Sequence, residues 1–351
     1  MLTRVERIAL IAIVIATAAA GVTRYAGGVP NGVVFAFAIL AVVGLAWLVS
    51  FAVEHVGAHY GSAVTGVMQA TLGNLPEFFV VVFALGAGQL VIAQTAILGS
   101  ILVNALLVLG LVIVVGARQA QGGVMRFGVG LPNDTATLLL LSTLIIILIG
   151  LANSSHVLAS HHVEAISVIG AVAILVVYAS WVVPYVRAPR GAGPGSPPRI
   201  GLPTGIGLLA SAALGAALVS DWFVHALQPA ISSLHISKSF AGLVIVAIAG
   251  NGVEQAVAIA LAHRGKSELA ISVVKNSVAQ IAAFLYPVMV IVSLLFSTRL
   301  TFAFAPVYIG ALAGTSIIVW QITGDGEATV FEGVALVAAF VILATIAAYG
   351  T

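Results

Sequence analysis

The sequence predicts an all-α polytopic membrane protein of about eleven transmembrane helices, with one N-terminal helix followed by two inverted five-helix repeats. The first observation is composition: 61% of the 351 residues are hydrophobic and 7% are charged, against about 25% charged in an ordinary soluble domain. Mean hydropathy is +1.20. The second is length, since the apolar runs last about 20 residues or more, what a helix needs to cross about 30 Å of hydrocarbon. Spanning strands would instead alternate over short segments. The third is repetition. Gly73-Asn74-Leu75-Pro76-Glu77 returns as Gly250-Asn251-Gly252-Val253-Glu254, with 250 − 73 = 254 − 77 = 177, and Ser100 and Ser277 keep the interval, 277 − 100 = 177.

Taken in order, the spans fall near 6–25, 31–54, 63–87, 90–116, 134–152, 163–186, 202–220, 238–262, 267–297, 301–321 and 329–349. Met1 to Arg7 and the apolar run after it resemble the start of a signal peptide, but no small-residue cleavage site precedes the next span, so the segment is expected to stay as a first helix. The stretch from Arg187 to Arg199 is rich in Pro and Gly, which can neither continue a helix nor build a core. It divides the chain into an N-terminal helix (1–28), a first repeat (29–187), a cytoplasmic linker (188–201) and a second repeat (202–351). With the N-terminus cytoplasmic, that side collects Arg4, Arg7, Arg118, Arg126, Arg187, Arg190, Arg199, Arg264 and Lys266, against Arg24, Lys238 and Arg299 outside. Nine basic residues against three favour this orientation, in a cell inner or plasma membrane. The motif copies sit in the third and eighth spans, and 8 − 3 = 5 is odd, so they enter the membrane in opposite directions. Inverted repeats place a substrate site near the midplane, between discontinuous helices of the two halves.

Glu77 and Glu254 are the leading candidates for that site. A mid-membrane carboxylate costs about 2.5–3.5 kcal/mol on insertion scales, so it faces a cavity, a partner or an ion. A carboxylate bonded between helices for structure alone would not be expected twice at equivalent positions. Asn74 and Asn251 precede their acids by three residues and share their helical face. Gly73, Pro76, Gly250 and Gly252 are expected to loosen both helices there and to free main-chain carbonyls. With the hydroxyls of Ser100 and Ser277, these oxygens suit calcium, which takes 6–8 oxygen ligands. The chain has no Cys, which excludes thiolate metal sites and disulfides. One divalent cation or two protons neutralises a pair of carboxylates, so exchange by competition follows from charge. Glu54 and Asp221 precede the motifs at the ends of the second and seventh spans and are candidates for a proton pathway. The eight His residues, His161 and His162 among them, mostly fall at span ends or in loops.

Several segments together resemble the calcium/proton exchangers of the calcium/cation antiporter superfamily. The run from Glu54 to Gly61, that from Thr65 to Glu77 and that from Gly99 to Gly110 are similar to the family's first α-repeat. Gly250 to Gln255 and Asn276 to Phe284 are similar to the second, and Asp325 to Leu336 is similar to the entry of its last helix. The resemblance implies an eleven-helix fold. It also implies cation binding by Glu77 and Glu254, support from Asn74, Asn251, Ser100, Ser277 and Gln280, and Asn104 lining the same cavity. It links Glu54 and Asp221 to proton passage. Three features depart from the family pattern: Asn276 and Val278 replace Gly and Ser, Leu75-Pro76 resembles the sodium/calcium branch, and Lys275 adjoins the site. Lys275 and Ser277 are about 200° apart on an ideal helix, so Lys275 either tunes ion selectivity from within the site or faces a neighbouring helix.

The expected function is therefore secondary active antiport of Ca2+, with tolerance for other divalent cations, against protons by alternating access. Exchange of Na+ or K+ for protons, or exchange of the Na+/Ca2+ type, on the same fold is the alternative. No enzyme is expected, because the chain lacks His-Glu-x-x-His and Gly-x-Gly-Asp motifs and an aspartate-rich loop. No cofactor beyond the transported ions is expected, nor any nucleic-acid partner, since the net charge of +2 belongs to loops. The bilayer is the expected surround, and a homo-oligomer is compatible with the sequence.

Overall fold

The computed structural model describes residues 3–60, 65, 68–69, 71–187 and 199–350. Ten of its helices are long and apolar enough to cross a membrane. They are α1 (Arg4–Tyr25), α2 (Asn31–Gly57), α4 (Leu90–Gln119), α5 (Gly130–Ser154), α6 (Leu158–Pro184), α7 (Leu202–Leu234), α8 (Lys238–His263), α9 (Ser267–Leu295), α10 (Pro306–Thr323) and α11 (Val330–Tyr349). The shorter apolar helix α3 (Leu75–Gly86) carries the first acidic motif. The remainder of the expected third span, and most of the linker, lie outside the described residues. Side chains such as Ile8, Ile11, Leu148, Ile169, Leu214 and Ile342 stand more than half exposed on the outer faces, as an apolar solvent allows. The chain is an integral membrane protein.

Among the boundaries that differ from the sequence reading, two have a local cause. Helix α7 runs to Leu234 rather than ending near 220, so Asp221 lies within it, not at its end. Polar Asp221, His225 and Gln228 lower the hydropathy there, but nothing before His235, which takes a left-handed φ of 55°, ends the helix. Helix α10 starts at Pro306 rather than 301. The preceding residues are not helical, with Phe302 buried and its amide bonded to Ser167 Oγ at 3.1 Å, and the carbonyl of Thr301 accepting from Tyr286 at 2.7 Å.

The halves meet through equivalent helices. Helices α2 and α7, five apart in order, pack along each other extensively, and α5 and α10 pack likewise, with Thr143 and Ser316 hydroxyls bonded at 2.8 Å. At the centre α4 crosses α8 closely. A Cβ on Gly99 would strike the backbone of Leu243, and one on Gly242 the side chain of Thr95. Asn251 bonds to Ser100 and Gln255 to Asn104, both pairs 151 residues apart, and a constant separation means that α4 and α8 run in the same direction. Because α3 and α4 form a hairpin, α3 and α8 run oppositely, so the motif copies are inverted.

A short antiparallel pair, β1 (Val124–Arg126) and β2 (Glu327–Thr329), joins the α4–α5 and α10–α11 connections. Arg126 meets Glu327 at 2.9 Å, and the amide of Gly128 donates to Glu268 at the start of α9 at 2.9 Å. Both connections thus lie on one face of the membrane, as six intervening helices, an even number of crossings, require.

Candidate functional site

The first motif breaks its helix and the second does not. Chain direction turns at Gly73 and Asn74 before α3 begins, and Pro76 sits in the first turn of α3, where its missing N–H removes no helical bond. Its equivalent is Val253 (76 + 177), which keeps its N–H, and α8 continues as regular helix through Gly250 and Gly252. The expected unwinding at the second motif is therefore replaced by a π-helical segment over Ala241–Val246, upstream of it. Two further π-helical segments flank the site. Val103–Val108 in α4 and Ile281–Leu285 in α9 are equivalent within the repeat, since 103 + 177 = 280 and 108 + 177 = 285. Such bulges concentrate at functional positions because they redirect side chains and free carbonyls.

The motif glycines have a use that spacing alone did not disclose. A Cβ on Gly250 would stand 2.8 Å from Glu77 Cγ and 2.9 Å from its Oε1, and one on Gly73 would stand 3.3 Å from Glu254 Oε1. Each acid thus packs against the glycine of the opposite copy, which brings the two carboxylates into one site. Glu77 is 5% exposed, while Glu254 keeps partial exposure.

Around them the expected polar residues form one network. Asn251 Nδ2 donates to Ser100 Oγ at 3.1 Å and to the Ala247 carbonyl at 3.3 Å. Asn104 donates to Ser277 at 3.2 Å and accepts from Gln255 at 3.4 Å. Ser277 and Gln69 hydrogen-bond to the Glu254 carboxylate, and Gln69 also donates to Ser50 at 3.0 Å. With both Asn251 donors used, its Oδ1 is left buried without a partner among the described residues, as is Glu77 Oε2. Oriented amide and carboxylate oxygens with no donor to satisfy them, on a site of net negative charge, suit a hard cation. A small pocket lined by Glu77, Ser100, Val246 and Leu285 abuts this cage.

Asn74 is buried at the start of α3, and Gln280 precedes the α9 π segment, where it makes no hydrogen bond among the described residues. Gln69 and Gln255 are in the network without having been singled out beforehand. The available signal was general: an amide in an apolar span needs a partner.

Three candidates stand apart from the cage. Lys275 is buried, and its Nζ donates to Thr323 Oγ1 on α10 at 3.1 Å, so it faces the neighbouring helix. Glu54 is exposed in the last turn of α2. Asp221 pairs with His225 at 3.2 Å within α7, a histidine that lies inside a span and not at its end. His55, in the last turn of α2, is buried against Phe51 with ring centroids 4.2 Å apart.

Comparison with known proteins agrees with this architecture. The vacuolar calcium ion transporter of Schizosaccharomyces pombe is 34% identical over 88% of this chain and 77% of its own length. The Ca(2+)/H(+) antiporter ChaA of Bacillus subtilis is 30% identical over 90% of this chain and 92% of its own. The solved structure of native YfkE superposes with a TM-score of 0.81 at 25% identity, covering 97% of this chain and 100% of that one. The family described as sodium/calcium exchanger protein matches residues 31–185 and 204–349, on either side of the linker and with one acidic motif in each part. With two inverted halves, an acid from each and a polar cage between them, this chain belongs to the sodium/calcium exchanger protein family.

Proposed function

We propose that the protein exchanges Ca2+ for protons across the membrane, with Glu77 and Glu254 alternately protonated and bound to the ion. The observation that carries this reading is the reciprocal seating of each carboxylate on the other copy's glycine, beside an Asn251 oxygen that the network orients and leaves without a donor. Relatives named as a Ca(2+)/H(+) antiporter and a calcium ion transporter support it. In this reading Asn74, Asn251, Ser100, Ser277 and Asn104 build the cage, and Gln280 joins it from the α9 bulge. Two protons or one calcium ion neutralise the pair. The residual exposure of Glu254 is the side from which the ion enters or leaves, and the two repeats, 29–187 and 202–351, move against each other for alternating access.

The N-terminus is assigned to the cytoplasm and the protein to a cell inner or plasma membrane, on the excess of Lys and Arg in the loops of that side. Glu54 and Asp221 are assigned to proton approach, outside the cage. Lys275 donates to Thr323 and not to a cage residue, which weighs against Na+ or K+ as substrate. In proteoliposomes an imposed pH gradient is expected to drive calcium uptake, and Glu77→Gln and Glu254→Gln are each expected to abolish it. Uptake that persists in both variants would overturn the assignment, and so would transport triggered by millimolar sodium with no response to micromolar calcium.

A further inference from the structure

A second polar site lies away from the carboxylate cage, in the cleft between the C-terminal end of α1, the start of α2 and the middle of α7. The cleft has a volume of about 180 Å3 and is lined by Thr23, Arg24, Asn31 and His225 beside apolar Val34 and Pro229.

Three groups there favour an anion. Arg24 forms no ion pair among the described residues, and its Nε is buried with no hydrogen-bond partner among them. Helix α2 opens onto the cleft at Asn31 with Pro30 as its cap and no side chain bonded to its first amides. Val33 and Val34 both donate to the Pro30 carbonyl, whereas the amides of Asn31 and Gly32 have no acceptor among the described residues. A 27-residue helix carries partial positive charge at such an end and binds anions through those amides. His225 forms the third wall. Its Nδ1 is engaged by Asp221, by the carbonyl at 2.9 Å and the carboxylate at 3.2 Å, which leaves Nε2 as its available nitrogen and occupies the nearby carboxylate.

Depth in the membrane narrows the ligand. Tyr25 and Trp222 meet edge to face at 6.1 Å beside the cleft, with the Arg24 guanidinium 5.8 Å from the Tyr25 ring centroid. Tyr and Trp gather at the headgroup level of a bilayer. A planar guanidinium matches phosphate oxygens in bidentate fashion, which a point charge does not. From these positions we propose that the cleft binds a phosphate-bearing anion, either the headgroup of an anionic phospholipid or free phosphate.

The test compares wild type with Arg24→Gln and Asn31→Asp, the second placing a carboxylate in the cleft while keeping Arg24. Native mass spectrometry with titrated phosphatidylglycerol is expected to show one lipid held by wild type and bound about tenfold more weakly by both variants, a loss of about 1.4 kcal/mol. Thermal unfolding of delipidated protein, with inorganic phosphate against chloride at equal ionic strength, separates the sources. A lipid site gives the mass-spectrometric difference alone, and a free-phosphate site gives a phosphate-dependent rise in wild type that both variants lose. Equal lipid retention in all three proteins, together with no phosphate-dependent shift in wild type, would overturn the proposal. If Arg24→Gln fails to fold, Asn31→Asp and the wild-type phosphate titration still decide.

Discussion

Gly250 sits in a regular helix where alanine would ordinarily stabilise by about 0.8–1.0 kcal/mol, yet a Cβ there would stand within 3.0 Å of three Glu77 atoms. Gly250→Ala is therefore expected to leave the fold intact, or slightly stabler to heat, while weakening calcium binding at least tenfold, as read by calorimetry on the purified protein. Unchanged affinity would show that the carboxylate is free to swing away, and would remove the close approach from the argument. Ser277 links two parts of the network by accepting from Asn104 and bonding to Glu254. Its replacement by alanine deprives a charged acceptor of a donor, a loss of about 1.5–3 kcal/mol for a hydrogen bond to a charged group. Calcium affinity of Ser277→Ala is expected to fall roughly ten- to hundredfold. Lys275 gives the opposite expectation. Thr323 keeps its bond to the Val319 carbonyl at 2.7 Å when the ammonium is removed, and burying a charge with one neutral partner is costly. Lys275→Met should be as stable as wild type or stabler, with calcium affinity within about twofold; a large loss of affinity would return Lys275 to the site.

The helices were legible because hydrocarbon thickness and apolar run length set them, and the breaks inside them were only partly so. Pro76 announces a helix start through chemistry that a sequence displays. The π-helical segments do not, since apart from Asn104 the runs Val103–Val108 and Ile281–Leu285 are as apolar as their surroundings. The overrun of α7 past 220 has a local origin: Asp221 and His225 satisfy each other across one helical turn, so polar residues that suggested an end are carried within the helix. Interval counting exposed the acids and serines, whereas Gln69 and Gln255 have no counterpart at 177 residues and gave no repeat to count. At the α4–α8 crossing, closeness itself is the constraint. Gly99→Leu would press into the backbone of Leu243, and overpacking of this kind costs about 1–3 kcal/mol. A fall of several degrees in the unfolding midpoint in detergent is expected. In contrast, Arg126→Ala on the exposed strand pair should change it little, because an exposed ion pair contributes about 0–1 kcal/mol.

For the whole molecule, the inverted halves bring one acid each to a shared cage, so the number of charges in the site is set by the duplication itself. On the proposed function two carboxylates take up two protons or one calcium ion, and the apparent calcium affinity must fall as pH falls because metal binding requires their deprotonated forms. Over the range in which both are protonated in the metal-free protein, log affinity is expected to rise with pH at a slope approaching 2. The same count makes the exchange of one Ca2+ for two protons electroneutral. Glu54 is exposed at the end of α2 and Asp221 is engaged by His225, and neither hydrogen-bonds to a cage residue among the described residues, so on the proposed function the duplicated pair alone carries the protons exchanged for the ion. Calcium flux through proteoliposomes at a fixed pH gradient should then be unchanged when a potassium diffusion potential of either sign is imposed. A flux that rises with one sign and falls with the other would mean that a third proton moves with each cycle. Repeating the measurement on Asp221→Asn and Glu54→Gln would then identify which acid outside the duplicated pair carries it.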